Sequence, residues 1–123
     1  MAKTTVWHFE MFKKEAKKWI QFFGMLDWEV MFEHADAGPD TNVAWHSADI
    51  DARCLAIGLS TDWKNWPLTI HEVKKSAFHE VIEARFSRLR DLANRRVVAQ
   101  CDINEEVHAI VQLLTNVIWK DGK

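Results

Sequence analysis

Apolar residues change their spacing twice along this 123-residue chain, and those changes limit the folds open to it. Across residues 6–24 they recur at helical spacing as Phe9, Phe12, Ala16, Trp19, Ile20 and Phe23, with Lys13, Lys14, Lys17 and Lys18 on the other side. The pattern predicts an amphipathic surface helix that Gly24 stops. From 28 to 33 the period drops to two, the repeat of a strand. Beyond the breaker Asp36-Ala37-Gly38-Pro39-Asp40, residues 43–46 and 53–59 read as two more strands, with Asp49-Ile50-Asp51 in or near their turn. Leu55, Ile57 and Leu59 share one face. Consecutive strands with short links predict an antiparallel meander.

Pro67 fits the start of a helix, and the helical period returns from Leu68 to about Asn94 through Ile70, Val73, Ala77, Val81 and Ala84. A last helix is expected from Asp102 to about Trp119, with Asp102 as N-cap and Glu105 completing a capping box. The predicted class is therefore α+β: an N-terminal helix, a three-stranded antiparallel sheet and two C-terminal helices, in a single domain over 1–123.

Apolar residues make up 48% of the chain and charged residues 28%, the balance of a globular protein rather than a disordered one. A net charge of −2 carries no overall footprint for nucleic acid. The basic groups Lys13, Lys14, Lys17 and Lys18, and Arg85, Arg88, Arg90, Arg95 and Arg96, have acidic neighbours and read as solvated helix faces. Cys54 and Cys101 lack metal or redox spacing, and Cys54 reads as a small buried hydrophobe. Lysines interrupt any N-terminal signal core, and no run approaches the ~18 apolar residues of a membrane span. The expectation is a cytoplasmic protein with neither a membrane nor a nucleic-acid partner. Seven Trp and seven Phe are expected in the core and at its rim, and a Trp-rich surface could support a homodimer.

The chemistry is concentrated in His79-Glu80-Val81-Ile82-Glu83 on the predicted long helix, one letter from the His-Glu-x-x-His of zinc peptidases. Residues i and i+4 lie one above the other, so His79 and Glu83 can converge on one ion. Glu80 occupies the place of the residue that activates a metal-bound water. A working site needs a third protein ligand and an open position. The last helix offers Glu105, Glu106 and His108, of which Glu105 is assigned to capping. His71-Glu72 forms a second such pair, but Lys75 stands at i+4 and cannot be a ligand. His8, His34 and His46 read as surface or rim residues, and Asp49 and Asp51 as turn residues.

The order of these parts resembles that of small, often phage-encoded, zincin-like metallopeptidases. In these an N-terminal helix and a three-stranded sheet precede a helix of the form Ala-x-His-Glu-x-x-His, and a final helix carries a Glu-His pair before an apolar run. The matching residues are Ala77-Phe78-His79-Glu80-Val81-Ile82-Glu83 and Glu106-Val107-His108-Ala109-Ile110-Val111, with Leu26-Asp27-Trp28-Glu29-Val30 before the sheet and Trp63 after it. The resemblance implies zinc held by His79, Glu83 and His108, with Glu80 as general base in hydrolysis of a peptide or protein substrate. Two departures stand out: Glu83 replaces the second motif histidine, and Val107 replaces the acidic residue before His108. Either Glu106 or Glu105 could take the place of His108, and the same donors would accept ferrous iron. A second implied reading is a non-enzymatic binding protein on this scaffold that engages a host protein. A di-iron protein needs two Glu-x-x-His pairs, and only Glu105-x-x-His108 is present.

Overall fold

The computed structural model describes residues 2–38, 43–95 and 99–118. Pro39 and Asp40 of the breaker, Arg96 and Trp119 lie outside the described residues. The chain forms two compact units, Met1–Arg85 and Phe86–Lys123.

The first unit begins with a short strand, β1 (Ala2–Lys3), followed by α1 (Val6–Phe22). Thr5 caps α1 by accepting from the His8 backbone N–H, and the His8 ring accepts from the Thr5 N–H in return. Histidine thus fills the role that Glu or Gln takes in an ordinary capping box. At the far end Gly24 adopts φ +70°. The Met25 N–H donates to the Ile20 carbonyl and the Gly24 N–H to that of Gln21, the paired bonds of a Schellman stop. Phe12, Ala16 and Ile20, four residues apart, form the buried stripe.

β2 (Glu29–Ala35), β3 (Ala44–Asp49) and β4 (Cys54–Ser60) form one sheet in the order β2-β4-β3. β3 pairs antiparallel with β4, but β2 pairs parallel with it. The sheet is therefore mixed, which corrects the expected antiparallel meander. The reason lies in burial. A meander would make β3 the central strand, although its sequence, Ala-Trp-His-Ser-Ala-Asp, is half polar. Cys-Leu-Ala-Ile-Gly-Leu-Ser is the near-continuous apolar run that a strand covered on both faces requires. Leu55, Ile57 and Leu59 are fully buried, and the chain gains more by putting that strand in the middle. Opposite Gly58, on the other face, lies Trp45, whose ring occupies the space that any Cβ placed there would need. β5 (Asp62–Lys64), which the sequence pattern does not announce, pairs with β1 in a second, two-stranded sheet.

α2 (Ile70–Arg85) starts after Pro67, where the Thr69 hydroxyl accepts from the Glu72 N–H. Val73, Ala77, Val81 and Ala84 are buried along it, whereas Ile70 is exposed. α1 packs on α2, with Phe78 edge-on to Trp19 at 4.7 Å between ring centres and against Phe23. β3 and β4 also contact α2.

The expected long helix ends at Arg85, and α3 (Ser87–Asn94) and α4 (Gln100–Ile118) belong to the second unit. α4 begins before Asp102, which therefore lies in its first turn and not at its cap. Within this unit Glu106, almost fully buried, accepts from the Arg88 guanidinium at 3.0 Å. Among the described residues Trp63 is the one tryptophan that is fully buried, and Trp7 and Trp66 are more than half exposed. No helix among them is long and apolar enough to cross a membrane.

Candidate functional site

Because β4 is central, β3 lies at the edge of its sheet. Its side chains alternate, so Ala44, His46 and Ala48 share a face. Their ladder partners are Leu59, Ile57 and Leu55, all buried. His46 thus occupies a core-facing position in which its flanking neighbours are alanines, and it meets α2. Its Nδ1 lies 2.8 Å from Glu80 Oε1 and 3.7 Å from Glu83 Oε2. A carboxylate can only accept, so in this contact the imidazole Nδ1–H donates. The pair is well withdrawn from water, with 14% of the His46 side chain and 10% of that of Glu80 exposed.

Glu80 and Glu83 are three residues apart on α2 and therefore neighbours on its surface. Burial of Val73, Ala77, Val81 and Ala84 fixes the rotation of the helix and leaves the two carboxylates at the edge of its buried side, facing β3. His79 Nε2 stands 3.7 Å from Glu83 Oε2, as their i, i+4 spacing predicts. Yet the His79 side chain is 62% exposed and points to the outer flank. His46, Glu80 and Glu83 form a group whose donor atoms all lie within 4.8 Å of one another.

These three donors suit a divalent cation. Two ligands bound at ~2.1 Å with tetrahedral angles stand about 3.4 Å apart. The 2.8 and 3.7 Å separations from His46 bracket that value. A neutral imidazole with two carboxylates also balances a charge of +2, and three protein ligands leave positions open. Zinc, manganese and ferrous iron all accept such donors.

The sequence-predicted residues thus fall into three places. Glu80 and Glu83 converge within the donor group. His79 touches Glu83 but stays outside the group. His108 is an exposed residue of α4 in the second unit, two positions from the Arg88-bound Glu106, and Glu105 is exposed beside it. His46 is the member that motif reading misses. Its signal is an imidazole in the alternating run Ala44-x-His46-x-Ala48, recognisable only once that face is known to be the inner one.

Beside Glu80 a groove of about 280 Å³ opens between the start of β3, Trp66 and the exposed side of α2. Its wall includes Lys75, Ser76 and His79. No protein-family model matches the chain, and neither do any curated protein or solved structure.

Proposed function

We propose that this chain is a divalent-metal-dependent hydrolase of peptide bonds, zincin-like in placing a His-Glu-x-x-Glu helix against a small sheet. The observation that carries the reading is the convergence of His46, Glu80 and Glu83 beside an open groove. In this arrangement His46, Glu80 and Glu83 hold the ion, zinc being the first candidate. When bound, such an ion polarises a carbonyl and lowers the pKa of a water toward ~7.

Relative to the motif, His79 and Glu80 exchange roles. Glu80, buried against His46, is suited to ligation. His79, exposed on the groove wall and next to Glu83, is suited to carrying a proton. Its Nε2 takes one proton from the attacking water. The water oxygen bonds to the carbonyl carbon, the C–N bond breaks, and the proton passes to the departing amine.

A second reading, a non-enzymatic binding protein on the same scaffold, draws support from the 2.8 Å His46–Glu80 contact, which satisfies both groups without an ion. Elemental analysis of protein purified without chelator or nickel resin, combined with a peptide-pool assay, separates the two. The hydrolase reading expects about one divalent ion per chain, lost in His46→Ala and Glu83→Gln. It expects His79→Ala to keep the ion and lose turnover. Folded wild-type protein that takes up no ion would end the hydrolase reading, and loss of the ion on His79→Ala would return that residue to the ligand set.

A further inference from the structure

We infer that α4 carries a self-association seam, on which a second copy of this chain packs in parallel as in a two-stranded coiled coil. The inference is independent of the hydrolase reading.

Two adjacent faces of α4 are committed differently. Glu106 and Ile110 are buried on one of them, and α3 packs against the helix. One position further along, Val107, Val111, Leu114 and Ile118 form a second stripe, each between 38% and 78% exposed. They stand four, three and four residues apart, and Asn104 extends the stripe three residues upstream. Alternation of three and four is the repeat of a coiled-coil seam, narrower than the stripe a helix lays on a core. The spacing fixes the register: Asn104, Val111 and Ile118 take the a positions, and Val107 and Leu114 the d positions.

The residue types then select the partner. β-Branched side chains at a, here Val111 and Ile118, with leucine at d favour two parallel strands. A buried asparagine amide needs a polar partner, and a parallel pair of identical helices sets Asn104 opposite its own counterpart. Asn104 Oδ1 accepts from the Gln100 side chain at 3.1 Å, and the Asn104 amide N–H can donate across the seam. The flanking e and g positions from 101 to 117 hold no Lys, Arg, Asp or Glu, so pairing the helix with itself opposes no like charges.

The area suits a weak dimer. The four apolar side chains expose on the order of 300 Å², the size at which a patch on a monomer often has a function. Paired with a second copy, and with the flanking atoms that close over it, the seam covers about 1,000 Å² in total, the floor for a specific interface. The second unit gains from that cover. It spans Phe86–Lys123, near the ~40-residue size below which a fold usually leans on a metal, a disulfide or another chain.

Sedimentation equilibrium of the full chain tests the seam. Reducing buffer keeps the free Cys54 and Cys101 from cross-linking, and chelator keeps any ion from bridging two copies. Monomer and dimer are expected in exchange, with a dissociation constant of micromolar order. Val111→Lys and Val111→Glu should each weaken the dimer by about tenfold or more, because like charges then meet across the seam. An equimolar mixture of the two variants should regain most of that loss. In a parallel pair residue 111 faces itself, whereas in an antiparallel pair it meets a d position and mixing restores nothing. A wild-type chain that stays monomeric up to about 1 mM overturns the inference. So does a dimer indifferent to both substitutions, or a mixture no tighter than either variant alone. A melting temperature that drops in both variants yet does not depend on chain concentration would mean that the stripe is covered from within one chain, and overturns it too.

Discussion

Truncating His46 tests the site most directly, because two independent consequences follow from its position. The first is stability without metal. His46→Ala removes a 2.8 Å hydrogen bond from a carboxylate that is only 10% exposed. Hydrogen bonds to charged groups contribute about 1.5–3 kcal/mol, and so little water reaches Glu80 that a replacement partner is scarce. The truncation also leaves space on the core face, so the single mutant overstates the pair. A double-mutant cycle with Glu80→Ala, which removes the acceptor, cancels that common term and should return a coupling of about 1.5–3 kcal/mol. For a domain of 60–100 residues that amounts to roughly 6–24 °C in Tm, read by circular dichroism.

The second consequence is a response to metal. With zinc at a hundred times its dissociation constant, the wild-type chain gains about 2.7 kcal/mol. If loss of the imidazole weakens binding a hundredfold, His46→Ala gains only about 0.4 kcal/mol at the same concentration. A coupling under about 0.5 kcal/mol, or equal zinc stabilisation of the variant and the wild type, would refute the placement of His46 as Glu80's partner and as a ligand.

Three further outcomes follow from the packing. Gly58→Ala should destabilise the first unit by about 1–3 kcal/mol, because the new methyl meets the Trp45 ring, which must leave its place over β4; denaturant melts showing a smaller loss would mean that Trp45 moves freely. Burial holds the His34 imidazole below its ordinary pKa, with His8 adding to the effect, while its Nε2 contacts the Thr4 hydroxyl that donates to the Ser60 carbonyl. The unfolded chain then binds the extra proton first, so stability present above about pH 6.5 should fall as the pH drops below it; His34→Gln should flatten that slope in melts run from pH 7.5 to 5.5. In the second unit Arg88→Met removes one charge-assisted hydrogen bond from the buried Glu106 carboxylate, which should cost about 1.5–3 kcal/mol in denaturant melts, and Glu106→Gln alongside it should recover part of that loss.

Much of the local structure is legible in the residues. The repeat of Phe12, Ala16 and Ile20 and the stop at Gly24 define α1, and the alternation in β2 and β3 and the apolar run in β4 mark the strands. Each rests on contacts within a few residues, where spacing and backbone preference decide the outcome. The i, i+4 approach of His79 and Glu83 is of the same kind. What spacing alone does not carry is strand order. That depends on which strand gains most from being covered on both sides, a comparison among all three.

Two further facts were decided only by the assembled chain. The rotation of α2, set by Val73, Ala77, Val81 and Ala84, aims Glu80 and Glu83 at β3 while leaving His79 to the outside. The pairing of β3 with β4 puts His46 across from Ile57 on the inner face. A histidine in an alternating strand reads as a rim residue until its partner strand is known, since a shift of one residue would turn it to solvent. The carboxylates were therefore written in the motif, but the imidazole that joins them came from long-range pairing, which brings together positions 34 residues apart.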